Sequence, residues 1–387
     1  MKGGLQAVIV LSALTFVSMF SLTFIVPSIK EFIMDRFDAT ATQASLFVTV
    51  EMAAYIIFAM VWGAASDRVG KRRMFIVIGF LGSSVLYYLM SLAPDLLVLL
   101  VLRFVQGAFT VMAWSLIMTT ALDIASRSEY GKTMGIVGTG LALGLGFGAP
   151  IGGAAGDIDP LLPLYIASVL FLASGIVAYF GVKEVPITHR PESITKALVA
   201  LSKDRRVVAP YLLGVLERFS AGFIALLLPL YLAEEFGMDP SERGMVLAAF
   251  LLPFAVLQYP FGRFSDRYGR SAMLIAGGIA YALLFSTIGY LDQMLVIVVM
   301  ILCGSLGAML LPASLALIGD LAPKGERATL MGGFNSMGSL GFAVAPPLAA
   351  YSSDALDYGT AFLIGGIAIL GMVLACVPYI RMIGRTQ

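Results

Sequence analysis

Apolar residues in this chain gather into long unbroken runs, and polar ones into short strips between them. Runs of about 20 apolar residues, the length a helix needs to cross a bilayer, fall at 5–28, 43–65, 74–93, 96–122, 133–156, 161–182, 208–233, 243–263, 272–291, 294–318, 328–350 and 359–380. The pattern predicts twelve transmembrane helices and an all-α membrane protein. The longest polar stretch, 183–207, divides them into two bundles of six, at 1–182 and 208–387. It carries Lys183, Arg190, Lys196, Lys203, Arg205 and Arg206, and reads as a linker against an anionic inner leaflet, with a short surface helix over 191–206. Leu5 to Pro27 is too long for the apolar core of a signal peptide, so no removable leader is expected.

Composition sharpens this picture. Of the 387 residues 59% are hydrophobic and 13% charged, against roughly 25% charged in a soluble domain. Lipid is therefore the expected solvent. The net charge is only +1, which gives no reason to expect a nucleic acid partner. The charges are sorted by position instead. With the N-terminus inside, 20 of the 25 Lys and Arg lie on the inner side, Lys30, Arg36 and Arg243 on the outer side, and Arg103 and Arg218 within spans. Positive residues are retained inside during insertion, so both termini are expected in the cytoplasm and the protein in the cell membrane. Cys303 and Cys376 sit within apolar runs, which excludes a disulfide framework. A lone histidine, His189, excludes a His-based metal cluster.

The halves repeat. Gly63-x3-Ser-Asp67-Arg68-x-Gly70-Lys71 returns 199 residues later as Gly262-x3-Ser-Asp266-Arg267-x-Gly269-Arg270. Asp123-x-Ala-x-Arg127-x-Glu129-x4-Met134-Gly135 returns after 197 as Asp320-x-Ala-x-Lys324-x-Glu326-x4-Met331-Gly332. Duplicated six-helix units related by an axis along the membrane normal describe a large class of transporters, whose site lies at midplane between the repeats.

These motifs resemble the major facilitator superfamily, and the resemblance covers the whole chain. Gly63 through Arg73, with Lys71 and Arg72, looks like that superfamily's loop 2–3 motif, and Gly262 to Arg270 like its echo in loop 8–9. Arg103-x2-Gln106-Gly107 is similar to the helix-four motif of proton-linked branches. Gly135-x8-Gly144-x3-Gly148-Ala-Pro150-Ile-Gly152-Gly153 resembles the helix-five motif of the twelve-helix drug:proton antiporters, although Ala149 stands where the family has proline. The resemblance implies two pseudo-symmetric six-helix bundles, alternating access and a monomer. It also implies that Asp67 reaches the start of helix eleven, near 326–330, and braces one state with Arg68.

Residue chemistry adds candidates of its own. Arg103 and Glu51 lie about eight residues into their spans, some 12 Å from one surface at about 1.5 Å per residue. An arginine there costs about 2.5–3.5 kcal/mol on insertion scales and needs a partner. The two are expected to interact, and because arginine stays charged, Glu51 would be the member that takes a proton. Glu217, in helix seven, is the second proton-coupling candidate. Gln106, Arg218, Gln258 and Asn335 are candidates for the substrate cavity. The glycines Gly140, Gly144, Gly148, Gly152 and Gly156 form a small-residue groove along helix five. With Pro150 and Gly153 it reads as helix packing, or as a seam between the halves that opens and reseals.

Rival classes fare poorly. Gly131-Lys132-Thr133 looks like the end of a phosphate-binding loop, but Ser126 stands where its first glycine belongs, so no nucleotide is expected. No serine elbow, paired metal ligands or selectivity-filter loop marks an enzyme or a channel. The chain therefore reads as a multi-pass secondary transporter without cofactors, exporting lipophilic or amphipathic small molecules in exchange for protons, a multidrug efflux antiporter. Symport or facilitated uptake of a small metabolite, and lipid flipping, are the alternatives.

Overall fold

The computed structural model describes residues 2–124, 130–184, 205–268, 270–321 and 327–384. The expected surface helix over 191–206 lies almost wholly outside these, as do His189, Arg127, Glu129, Lys324, Glu326 and Gly269. Twelve long helices carry the described chain: α1 (Lys2–Phe24), α2 (Ala41–Val69), α3 (Arg72–Ser91), α4 (Leu96–Ile124), α5 (Tyr130–Ile158), α6 (Leu162–Gly181), α7 (Val208–Phe236), α8 (Pro240–Tyr268), α9 (Arg270–Thr287), α10 (Gln293–Leu321), α11 (Arg327–Ala355) and α12 (Tyr358–Gly384).

Among the described residues, eleven helices are long and apolar enough to cross a membrane. The exception is α11. Its 29 residues give it the length, but glycines, Asn335, Ser336, Ser339 and the Pro346–Pro347 pair thin its apolar content. The expected run at 328–350 is thus a full helix, leaner in apolar side chains than its neighbours.

Two helix ends show how local sequence sets the boundaries. Gly70 takes φ +72° and its N–H bonds the carbonyl of Ser66 at 2.8 Å. Gly237 takes φ +63° and its N–H bonds the carbonyl of Leu232. A left-handed residue closes a helix by meeting its orphan carbonyls, and glycine does so without a Cβ penalty. The loop motif's glycine is therefore a helix stop, which lets α3 start two residues later.

The chain forms two compact units. Unit 1 is Met1–Ala39, Leu46–Pro191 and Met238–Met245; unit 2 is Thr40–Ser45, Glu192–Gly237 and Val246–Gln387. In unit 1, α1 packs on α4, α5 and α6, α3 on α4 and α6, and α5 on α4 and α6. In unit 2, α7 packs on α10, α11 and α12, α9 on α10 and α12, and α11 on α10 and α12. The second set is the first shifted by six helices, so the duplication read in the loops extends to the packing.

The glycine stripe of α5 lies inside unit 1. A Cβ at Gly140, Gly144, Gly148, Gly152 or Gly156 would run into Ser12, Phe16, Phe20, Phe24 or Ser28 of α1 and its extension. Small residues let two backbones approach closely and gain contacts along their length. The expectation that this stripe forms a seam between halves is corrected: α1 fills it. Gly153 points another way, towards Pro240 and Ser241 at the start of α8. Pro150 lies within α5, which continues helical to Ile158.

Candidate functional site

The apolar packing of unit 1 encloses a chain of polar groups. Arg103 of α4 donates to Glu51 of α2 at 2.5 Å and to Gln106 at 2.9 Å. Gln106 donates its amide N–H to Thr110 at 2.6 Å, and the Thr110 hydroxyl meets that of Ser83 on α3 at 2.9 Å. Glu51 and Arg103 are 2% and 3% exposed. The guanidinium lies over the Phe47 ring, its central carbon 4.3 Å from the centroid, and Tyr55 and Tyr87 flank the ion pair.

Sequence local to α4 explains part of this. Gln106 follows Arg103 by three residues and Thr110 follows Gln106 by four, so the three polar groups share one helix face. Gly107 supplies the rest: it lets α2 approach until a Cβ there would stand 3.0 Å from the carbonyl of Glu51. The approach carries Glu51 to Arg103. An ion pair so enclosed is worth little as net stability, because desolvation offsets most of its attraction, yet removing one partner strands the other at a cost of about 3–5 kcal/mol. Gln106 was expected to touch substrate. It is fully buried and both ends of its amide are engaged, so it supports the ion pair instead.

Unit 2 arranges its candidates differently. Glu217 of α7 has one carboxylate oxygen, Oε2, shielded and without a hydrogen-bond partner. Arg218, next in sequence, turns to Asn335 of α11, Nη2 to Oδ1 at 3.5 Å. Consecutive helical residues point about 100° apart, so Glu217 and Arg218 face different surroundings. Tyr281 of α9 is buried near Glu217 and Ser220. Gln258 is half-buried on α8.

The loop motif builds a third cluster. Arg72, at the first position of α3, is buried and reaches Asp67 and Asp123, each at 3.2 Å. Arg68 and Lys71, expected to belong to the gate with Asp67, are exposed, as is Arg267 in the second copy. The side chain of Asp266 lies outside the described residues. So do most side chains of 326–330, where the resemblance puts the partner of Asp67. Among the described residues no group of His, Cys, Asp and Glu could hold a metal ion, and Cys303 and Cys376 are free and buried.

A sequence profile of the Major Facilitator Superfamily matches residues 11–216 and again 210–382. The chain belongs to the Major Facilitator Superfamily. Members and structural neighbours of this superfamily are transporters, and this chain is a multi-pass membrane transporter rather than an enzyme. The tetracycline resistance protein, class B, of Escherichia coli is 26% identical over 360 residues, covering 90% of this chain and 87% of that one. The multidrug resistance protein MdtG of Rahnella sp. is 26% identical over 320 residues, covering 80% and 76%. In structure, the nucleoside transporter NupG is similar with a TM-score of 0.80 and 14% identity, covering 98% of this chain and 99% of that one. At that identity the likeness speaks to the fold alone. The fold is thus the two six-helix bundles of the Major Facilitator Superfamily.

Sequence reasoning missed parts of these clusters. Arg72, named in the loop motif together with Arg68 and Lys71, is its buried cation, and the part not foreseen is Asp123 as its second carboxylate. The signal for Asp123 was the repeat itself, since it recurs as Asp320. Tyr55 and Tyr87 gave no signal, because aromatic residues are ordinary in apolar spans.

Proposed function

We propose that this transporter exports lipophilic or amphipathic small molecules by alternating access, in exchange for protons. One observation carries the reading: a carboxylate, Glu51, is enclosed in an apolar bundle against an arginine that cannot give up its charge. A group that takes and releases a proton in exchange must alternate between charged and neutral, and Glu51 is placed so that its ionisation switches a buried ion pair on or off. Switching such a pair biases two states separated by only a few kcal/mol. The likeness to the tetracycline and multidrug resistance proteins supports export, and of lipophilic or amphipathic compounds in particular. The positive residues crowded at one end support cytoplasmic termini.

The test is flux of lipophilic cations, anions and neutral compounds in proteoliposomes with an imposed pH gradient. Flux of at least one class should follow the gradient, and Glu51→Gln should abolish the gradient's effect. Flux indifferent to the gradient would remove proton exchange from the reading.

A further inference from the structure

A proton on Glu51 takes away the charge that balances Arg103, because arginine keeps its own. What else touches the guanidinium then decides whether it stays where the carboxylate needs it. Two groups that never titrate are in place. Gln106 accepts a hydrogen bond from Nη1 at 2.9 Å, and the Phe47 ring lies under the guanidinium with its centroid 4.3 Å from the central carbon. Both side chains are buried. A carbonyl oxygen and the face of an aromatic ring each attract a cation without holding a charge themselves.

Neither group is free to turn away. Arginine has no acceptor, so the amide oxygen of Gln106 must face Arg103 and its N–H groups must point elsewhere. They meet Thr110 at 2.6 Å, and Thr110 in turn shares a hydrogen bond with Ser83 at 2.9 Å, which ties the amide to α3. Phe47 precedes Glu51 by four residues and so shares its face of α2. Its ring meets that of Phe32 edge-on at 5.6 Å, in a π-helical turn, Lys30–Asp35, that follows α1.

The other groups facing Glu51 within unit 1 are Tyr55 from α2 and Tyr87 from α3. Neither phenol carries charge near neutral pH, and α1 has no titratable side chain between Leu5 and Phe24. The duplicated half shows that these attendants belong to the charge and not to the crossing. Val246 and Cys303 stand at the repeat positions of Phe47 and Gln106, where the ion pair is absent.

We propose that Gln106 and Phe47 are positioning residues, which hold Arg103 in place while Glu51 is neutral and so make the proton easier for Glu51 to take. The proposal rests on the reading above of Glu51 as the proton carrier. The sign follows from the charges. With Glu51 ionised the pair is neutral, and with Glu51 protonated it carries one positive charge. Gln106 and Phe47 stabilise that charge most when the carboxylate no longer does. Their removal therefore weakens proton binding, and Glu51 titrates at lower pH.

The test is infrared titration of the full chain in lipid, which needs no cargo. The carboxyl band of protonated Glu51 is the one missing from Glu51→Gln. In Gln106→Leu its midpoint should fall by about one unit of pH, a tenfold loss of proton affinity, as expected for a hydrogen bond to a charged group. In Phe47→Leu the affinity should fall about threefold. Midpoints that stay or rise in both variants, with only the melting temperature lowered, would leave these residues a purely structural role and overturn the proposal. Where Gln106→Leu does not fold, Thr110→Val loosens the amide instead; its midpoint should fall by less, and an unmoved midpoint again overturns the proposal. A midpoint that falls as expected in a protein whose flux ignores the pH gradient upholds the positioning role and counts against proton exchange alone.

Discussion

The two units place the same backbone around opposite chemistry. Gly107 of α4 brings in the carbonyl of Glu51; its repeat partner Gly304 of α10 brings in the carbonyl of Phe250. Glu51 and Phe250 are 199 residues apart, and Arg103 and Met300 are 197 apart. Unit 1 thus has an ion pair where unit 2 has Phe250 and Met300, both buried. Gln106 is answered by Cys303 and Thr110 by Gly307. The ion pair is therefore not needed to build this helix crossing, since its apolar counterpart builds the same one. Its presence in unit 1 alone is better explained by function than by folding.

Loss of function at Glu51 should be the most pronounced consequence of that asymmetry. Glu51→Gln should reduce gradient-driven flux to background while leaving counterflow without a gradient measurable in proteoliposomes. Next in size is stability. Arg103→Met alone strands Glu51 and should cost about 3–5 kcal/mol, read as thermal or denaturant unfolding in detergent micelles. The double variant Glu51→Phe/Arg103→Met copies unit 2 and should recover most of that loss. A double variant no more stable than the single would show that unit 1 needs its charges to fold.

The glycines separate the two crossings further. A Cβ at Gly304 would overlap the Phe250 carbonyl, whereas one at Gly107 would stand 3.0 Å from that of Glu51. Gly304→Ala should therefore destabilise more than Gly107→Ala, by about 1–3 kcal/mol on the overpacking scale. Equal melting of the two variants would count against the closer approach in unit 2. Least should happen at Glu217. One of its oxygens has no partner, so Glu217→Gln should shift stability by less than about 1 kcal/mol, and a larger loss would reveal a contact that the carboxylate makes.

Much of this arrangement was legible in the chain alone. Glu51 and Arg103 announced each other because an unpaired charge in hydrocarbon is too costly to leave alone, and each was the only charged residue deep in its span. Gln106 misled for a related reason: a polar residue in a span must have a partner, but sequence does not say whether the partner is substrate or a neighbouring side chain. The glycine stripe of α5 showed that something packs closely there, not that it is α1. Arg68 and Arg72 look alike in sequence, and only the turn at Gly70 decides that Arg72 is the one buried between Asp67 and Asp123.

The number and placement of the long helices, the duplication and the membrane setting were all written into the sequence. They depend on the composition of single segments, and burial in lipid acts on each segment separately. Which faces meet was settled only on folding: α1 in the groove of α5, Glu51 against Arg103, and Arg72 between Asp67 and Asp123. Contacts of that kind join residues far apart in sequence, and they follow from how whole helices pack rather than from any pattern within one of them.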